Sequence, residues 1–183
     1  WEKLFSERMC RHFYEDFGIE TKVARYHNIF GPQGTYDGGR EKSPAALCRK
    51  IAQAKINGTN DIEVWGDGNQ TRSYLFIEDC VEATLKFFDS KFQGPLNIGS
   101  EEQVSINQMI EIIENIANYK VNKIYNTDMP VGVKGRSSNN QKIIEELNWK
   151  PNYTLTQGLE KTYHWIEDMI KNKKNNSSLF TMS

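Results

Sequence analysis

Cationic side chains draw notice at four places in this 183-residue sequence, and the three that stand beside glycines have the chemistry to hold an anion. Glu2-Lys3 opens the chain. Arg25-Tyr-His-Asn-Ile-Phe-Gly-Pro32 leads into a glycine-rich loop, Gln33 to Arg40, followed by Glu41-Lys42 and, further on, Lys50. Trp65-Gly-Asp-Gly-Asn-Gln-Thr-Arg-Ser73 places Gln70, Thr71 and Arg72 at the exit of a turn. Gly132-Val-Lys-Gly-Arg136 puts two cations among glycines. A guanidinium matches phosphate oxygens in a two-pronged geometry, so Arg72 and Arg136 suit a phosphate. Each place also has an ordinary reading: a solvated helix lysine, a surface loop, a hairpin turn with a salt-bridged arginine, a basic loop. Residue types and spacing alone point to an anion-binding protein and no further.

Other chemistries find less support. His12, His27 and His164 have no ligand spacing, and Cys10, Cys48 and Cys80 form no CxxC or Cys/His cluster, so no metal site is expected. The three cysteines cannot all pair and are read as ordinary buried thiols, which suggests a reducing, cytoplasmic setting. A net charge of -1 gives no field for nucleic acid. No apolar run is long enough to predict a membrane span. The chain begins with Trp1 rather than Met, against what reads as the middle of a helix, so it is expected to be a truncated chain.

These groups need a scaffold, and helical and strand-like stretches alternate, which predicts an α/β class. Apolar residues at Leu4, Phe5, Met9 and Phe13 predict a helix stopped by Gly18. Thr21 to Ile29 reads as one buried strand. Ser43-Pro44 reads as a capped helix start, with Leu47, Cys48, Ile51 and Ala52 facing inward and Asn57-Gly58 closing it. Ile62 to Trp65 and Thr71 to Phe76 read as the two arms of a hairpin. Glu78 to Phe88 is expected to be helical, with Val81, Leu85 and Phe88 on one face. Leu96 to Ile98 reads as a strand. A helix follows from Ser105, with the stripe Ile106, Met109, Ile110, Ile113. An irregular loop covers 126 to 138, and two helices near Asn140–Leu147 and Leu155–Lys171 precede a polar tail. No strand is followed by the Gly-x-Gly-x-x-Gly pattern of a dinucleotide-binding turn.

Arg25–Pro32, Gly34-Thr35, Gly38-Gly-Arg-Glu-Lys42 and Pro44-Ala-Ala46 resemble the substrate loop of the GDP-mannose 3,5-epimerases, within the extended short-chain dehydrogenase/reductase group. Trp65–Ser73, Pro95-Leu-Asn-Ile-Gly-Ser100, and Arg136 followed by Leu147-Asn-Trp149, Pro151, Gly158-Leu159 and Trp165 are similar to the wider nucleotide-sugar epimerase and dehydratase group. The resemblance implies the C-terminal part of a Rossmann-type fold. Residues 1–183 would hold the end of the Rossmann domain interleaved with a smaller substrate-binding domain, and the N-terminal NAD-binding half would be absent. It implies a nucleotide-diphosphate sugar as substrate, NAD as cofactor and a homodimer, with no nucleic acid or membrane partner.

The family's reaction oxidises the sugar at carbon 4, epimerises carbons 3 and 5, and re-reduces the ketone. By resemblance Lys3 is the lysine of the family's Tyr-x-x-x-Lys pair, and Lys42 moves a proton at carbons 3 and 5 opposite a cysteine upstream of this chain. As a base near neutrality Lys42 would need its pKa lowered by roughly three units, about 4 kcal/mol, whereas an acid needs no such shift. Lys42 is therefore read as the proton donor. Asn28 would bind the sugar or diphosphate, Lys50, Arg72 and Arg136 would neutralise the diphosphate, and Glu41, Gln70 and Thr71 rank second.

Two positions depart from the family pattern. Asn139 stands where Asp is expected, and Asn148 stands where Gly is usual before Trp149. Two other readings stay open. One is a UDP- or dTDP-sugar 4-epimerase, 4,6-dehydratase or decarboxylase. The other is a non-catalytic sugar-nucleotide-binding remnant. As a fragment the chain is expected to be inactive and to expose apolar surface.

Overall fold

A computed structural model describes residues 1–180, the last six as helix backbone alone. Helix α1 (Glu2–Phe17) stops at Gly18, whose left-handed φ of 66° turns its own N–H and that of Ile19 back to the carbonyls of Tyr14 and Phe13. None of its residues is buried, and Leu4, Phe5 and Phe17 are largely exposed.

The single strand expected over 21–29 is instead two short strands in different sheets. β1 (Ala24–Tyr26) pairs in parallel with β6 (Leu96–Ile98), and β2 (Ile29–Phe30) pairs in parallel with β5 (Leu75–Phe76). Asn28, at φ 48°, breaks the extended run between them. The β1 residues are half-buried to exposed.

The expected hairpin is also absent. β3 (Asp61–Trp65) lies parallel to β8 (Asn122–Asn126), while β4 (Thr71–Ser73) sits between antiparallel β7 (Gln103–Ser105) and parallel β9 (Gly135–Arg136). The turn between β3 and β4 is real. Gly66 and Gly68 take φ values of 76° and 74°, and the Asn69 N–H donates to the Asp67 carboxylate at 2.9 Å. That turn docks on helix α4 (Ile106–Ala117), where the Asn107 N–H donates to the Gly68 carbonyl. β4 is thereby carried away from β3 into another sheet.

Helices α2 (Ser43–Asn57), α4 and α6 (Leu155–Phe180) pack on one another around Cys48, Ile51, Ile110, Ile113, Leu159, Tyr163 and Ile166, all fully buried. Each buried aliphatic side chain stabilises by about 1.5–3 kcal/mol relative to exposure. α4 begins as expected at Ser105, which accepts from the Gln108 N–H while the Gln108 side chain accepts from the Ser105 N–H. For α2 the expectation changes. Its N-cap is Lys42, without a side-chain cap, and Ser43 is already helical, its hydroxyl turned to the Tyr74 phenol.

A second core of Phe87, Leu96, Ile98, Ile143 and Trp149 lies between β6, α3 (Ile77–Asp89) and α5 (Gln141–Leu147). Val81, Leu85 and Phe88 share one face of α3, and that face is exposed, while Asp79, Cys80, Ala83 and Phe87 are buried on the other. The orientation is held by Asp79, whose two oxygens accept the Asn152 and Tyr153 N–H groups at 2.9 and 3.0 Å. Asn148 ends α5 at φ 47°, as its tolerance of the left-handed region allows. α6 continues through the segment expected to be a tail, which has no Gly or Pro to stop it, and positions 181–183 of that tail lie outside the described residues. Cys48 and Cys80 are buried free thiols, whereas Cys10 is only half-buried, on α1. Among the described residues no helix is long and apolar enough to cross a membrane.

Candidate functional site

A cleft of about 560 Å³ opens between the glycine loop, the first turns of α2, the outward face of β3, the turn into β4, and Pro130-Val131. Of the candidates from the sequence, Glu41, Lys50, Gln70 and Arg72 line it. Lys42 is exposed between two lining residues, Glu41 and Ser43, and so stands at the mouth. Lys3, Asn28, Thr71 and Arg136 do not line it. Lys3 is exposed on α1. The Asn28 amide donates to the Ser73 carbonyl at 3.0 Å, tying its loop to β4. Thr71 is held in β4 by the bond from its N–H to the Lys134 carbonyl. Arg136 is the register partner of Arg72 on the neighbouring strand and is exposed.

Two cations of the cleft, Arg72 and Lys50, are held by backbone oxygens. Arg72 donates to its neighbour's carbonyl, that of Thr71, at 2.7 Å and to Val131 at 3.3 Å. Lys50 donates to the Glu63 carbonyl at 2.6 Å and lies 3.9 Å from that residue's carboxylate. Burial pushes the Lys50 ammonium below the usual lysine range, against the opposing pull of Glu63.

Two polar side chains of the lining are already engaged with the protein. Glu41 has one oxygen on Arg49 at 2.8 Å, and its Oε2 is withdrawn from solvent. Gln70 donates through Nε2 to the Trp65 carbonyl at 3.0 Å, while its Oε1 is buried without a hydrogen-bond partner. Burial pushes the Glu41 carboxyl up. Its own backbone N–H, Arg49 and the Gly39 N–H outweigh that and hold it below the usual carboxylate range.

Sequence reasoning missed Arg49, Glu63 and Tyr74. Arg49 lies nearly two helical turns inside α2 from the loop it holds. The alternation of 61–65, with Glu63 and Trp65 outward, was the available signal for Glu63. Tyr74 is buried on the floor of the cleft, and burial raises its phenol against the opposing effects of Ser43 and Arg72.

A nicotinamide dinucleotide needs a glycine turn between strand and helix whose N–H groups face the pyrophosphate. The strand-end glycines here are already filled. A Cβ at Gly31 would meet Ile77, and one at Gly99 would come within 2.6–2.7 Å of Ser138 and His27. The described residues do not form that cradle.

Comparison with known proteins places these features. Residues 1–99 match the NAD dependent epimerase/dehydratase family. The chain is 49% identical over 173 residues to the GDP-mannose 3,5-epimerase of Arabidopsis thaliana, covering 94% of this chain and 45% of that protein. It is 50% identical over 173 residues to GDP-mannose 3,5-epimerase 1 of Oryza sativa subsp. indica, covering 94% and 44%. The chain thus spans about half the length of the curated relatives it matches. A solved UDP-glucose 4-epimerase of Thermotoga maritima with UDP-glucose superposes with a TM-score of 0.83 at 23% identity, over 91% of this chain and 52% of that one, which shows the Rossmann-type α/β fold.

Proposed function

The chain belongs to the NAD dependent epimerase/dehydratase family, and from that premise we propose that it is the substrate-binding portion of a GDP-mannose 3,5-epimerase. Residues 1–183 then combine the end of a Rossmann domain with the substrate domain. NAD as cofactor, a homodimer and a cytoplasmic setting belong to the same proposal.

The observation that carries the reading is the single cleft that brings together Glu41, Lys50, Gln70 and Arg72. A nucleotide-diphosphate sugar complements that lining. Its hydroxyls pair with carboxylate and amide groups, and its diphosphate replaces the backbone oxygens now holding Arg72 and Lys50. Arg136, in register with Arg72, extends the cationic surface along β9. Thr71 and Asn28 set the backbone on either side. Lys42, exposed at the mouth, delivers a proton to carbon 3 or 5 of a sugar seated in the cleft. Lys3 serves the nicotinamide ribose. No hydride step is derived from the described residues, which do not form the dinucleotide cradle.

The test is calorimetric titration of GDP-mannose, and separately of UDP-glucose, into protein carrying this sequence. Preferential binding of GDP-mannose that is lost in Arg72→Ala supports the reading. A preference for UDP-glucose moves it to the UDP-sugar enzymes of the family, and absence of binding by either ligand overturns it.

A further inference from the structure

β3 alternates strictly, with Ile62 and Val64 inward and Asp61, Glu63 and Trp65 outward. Glu63 and Trp65 therefore stand side by side on the strand face that lines the cleft. Trp65 keeps 46% of its surface exposed, a large flat ring held open to the cleft. Its indole N–H donates to Glu63 Oε2 at 3.1 Å, and the Asn126 amide donates to Glu63 Oε1 at 2.9 Å across the β3–β8 pair. These two donors fix the carboxylate plane, and each oxygen keeps further acceptor capacity. The same two bonds hold the Glu63 carboxyl below its usual range, so the carboxylate is anionic at neutral pH.

A fixed carboxylate beside an open aromatic ring recognises a planar ligand with two adjacent N–H donors. Among the bases of nucleoside diphosphates, guanine presents its ring N1–H next to its exocyclic 2-amino group. Uracil and thymine present one N–H flanked by carbonyl oxygens, which a carboxylate repels. Adenine sets a ring acceptor beside its amino group. We propose that Glu63 is the residue that selects guanine, with Trp65 as the surface on which the base stacks. This rests on the reading that the cleft holds a nucleotide-diphosphate sugar. The surface for the base and the cation for the diphosphate belong to one cleft and one turn. Gln70 donates a hydrogen bond to the Trp65 carbonyl, and Arg72 follows two residues later.

The test is calorimetric titration of GDP, IDP and UDP into the protein and into Glu63→Ala, Glu63→Gln and Asn126→Ala. IDP lacks only the 2-amino group, so it isolates that donor. Wild type is expected to bind GDP about tenfold more tightly than IDP or UDP, the usual scale for a hydrogen bond to a charged group. Glu63→Ala brings GDP down to the level of IDP and leaves UDP unchanged. Glu63→Gln, with one acceptor instead of two, falls between. Asn126→Ala removes the same cross-strand bond but keeps the carboxylate, and holds the preference within about threefold. Two results overturn the proposal while leaving the diphosphate site standing. One is wild-type preference retained in Glu63→Ala. The other is loss of preference in Asn126→Ala as complete as in Glu63→Ala, which marks a structural role. Wild type that binds none of the three overturns this proposal and the proposed function together.

Discussion

Arg49 joins the glycine loop to α2 at two points, donating from Nε to the Tyr36 carbonyl and from Nη2 to Glu41 Oε1, each at 2.8 Å. A third bond, to Gln53 Oε1 at 3.1 Å, fixes the guanidinium to its own helix. The side chains of both Arg49 and Glu41 are largely withdrawn from solvent. Loop, carboxylate and the neighbouring Lys42 are therefore positioned through one side chain.

Arg49→Met is expected to destabilise the protein by about 3 kcal/mol, because it strands a buried carboxylate. The cost has a pH signature. A carboxyl held below the ordinary value of about 4.3 stabilises the fold above that value and loses its contribution as pH falls through its folded value. Without Arg49, burial raises the Glu41 carboxyl instead, and the variant recovers as that group takes up its proton. The gap between wild type and variant should narrow from pH 6 to pH 3. Urea denaturation across that range checks it, and a constant gap would sink the electrostatic account.

In a protein that joins this chain to the upstream half of the family fold, Lys42→Ala is expected to lower solvent-deuterium exchange at carbons 3 and 5 of GDP-mannose by about a hundredfold, on the scale of a lost general acid. Affinity for the nucleotide sugar should change less than about threefold, since Lys42 stands at the mouth and not on the lining. Equal losses in affinity and exchange would make Lys42 a binding residue instead.

His27 lies where burial and the charge of Arg136 both push its imidazole below the usual value, against a hydrogen bond that the ring donates to Asn97. Arg136→Gln should raise the His27 pKa, with burial still holding it under about 6.5. The sign for stability follows. A histidine with a lowered folded pKa opposes folding once it is protonated in the unfolded chain, so the wild type loses stability on acidification through that window, and the variant loses less. NMR titration of the His27 ring gives the pKa directly. No upward movement would mean that Arg136 does not act on it.

Gly99→Ala is expected to cost about 2 kcal/mol, the range for overpacking, because the new methyl meets Ser138 and His27. The Ser138 hydroxyl donates to Asn140, which in turn donates to the Gly99 carbonyl, so the neighbours cannot withdraw freely. A thermal midpoint unchanged within a degree would contradict the packing seen there.

The parts of the fold legible in sequence are those decided within one or two helical turns. Ser105 with Gln108 and the isoleucine stripe fix α4, and Gly18, Gly58 and Asn148 end three helices, all through local bonds. Which face of α3 turns inward is not legible locally, because both sides of that helix carry apolar residues. The choice between them is made by Asp79 gripping backbone at 152 and 153, more than seventy residues away. The hairpin was misread because β3 finds β8 and β4 finds β7 and β9, pairings that no turn signal announces. At the site, Glu41, Lys50, Gln70 and Arg72 were named from motif resemblance and do share one cleft. Arg49 and Glu63 were not, because the first looks like any helix arginine and the second like any exposed strand carboxylate until their partners are in view.

The parallel pairing of β4 with β9 sets Arg72 beside Arg136 on adjacent strands. Two like charges held side by side by a backbone ladder repel one another and load the fold. An anion that bridges them removes the load, so occupancy and melting temperature become two readings of one equilibrium. Pyrophosphate at a hundred times its dissociation constant should add about 2.7 kcal/mol to the stability of the fold. The protein would then report on its own ligand through heat, without any need for turnover.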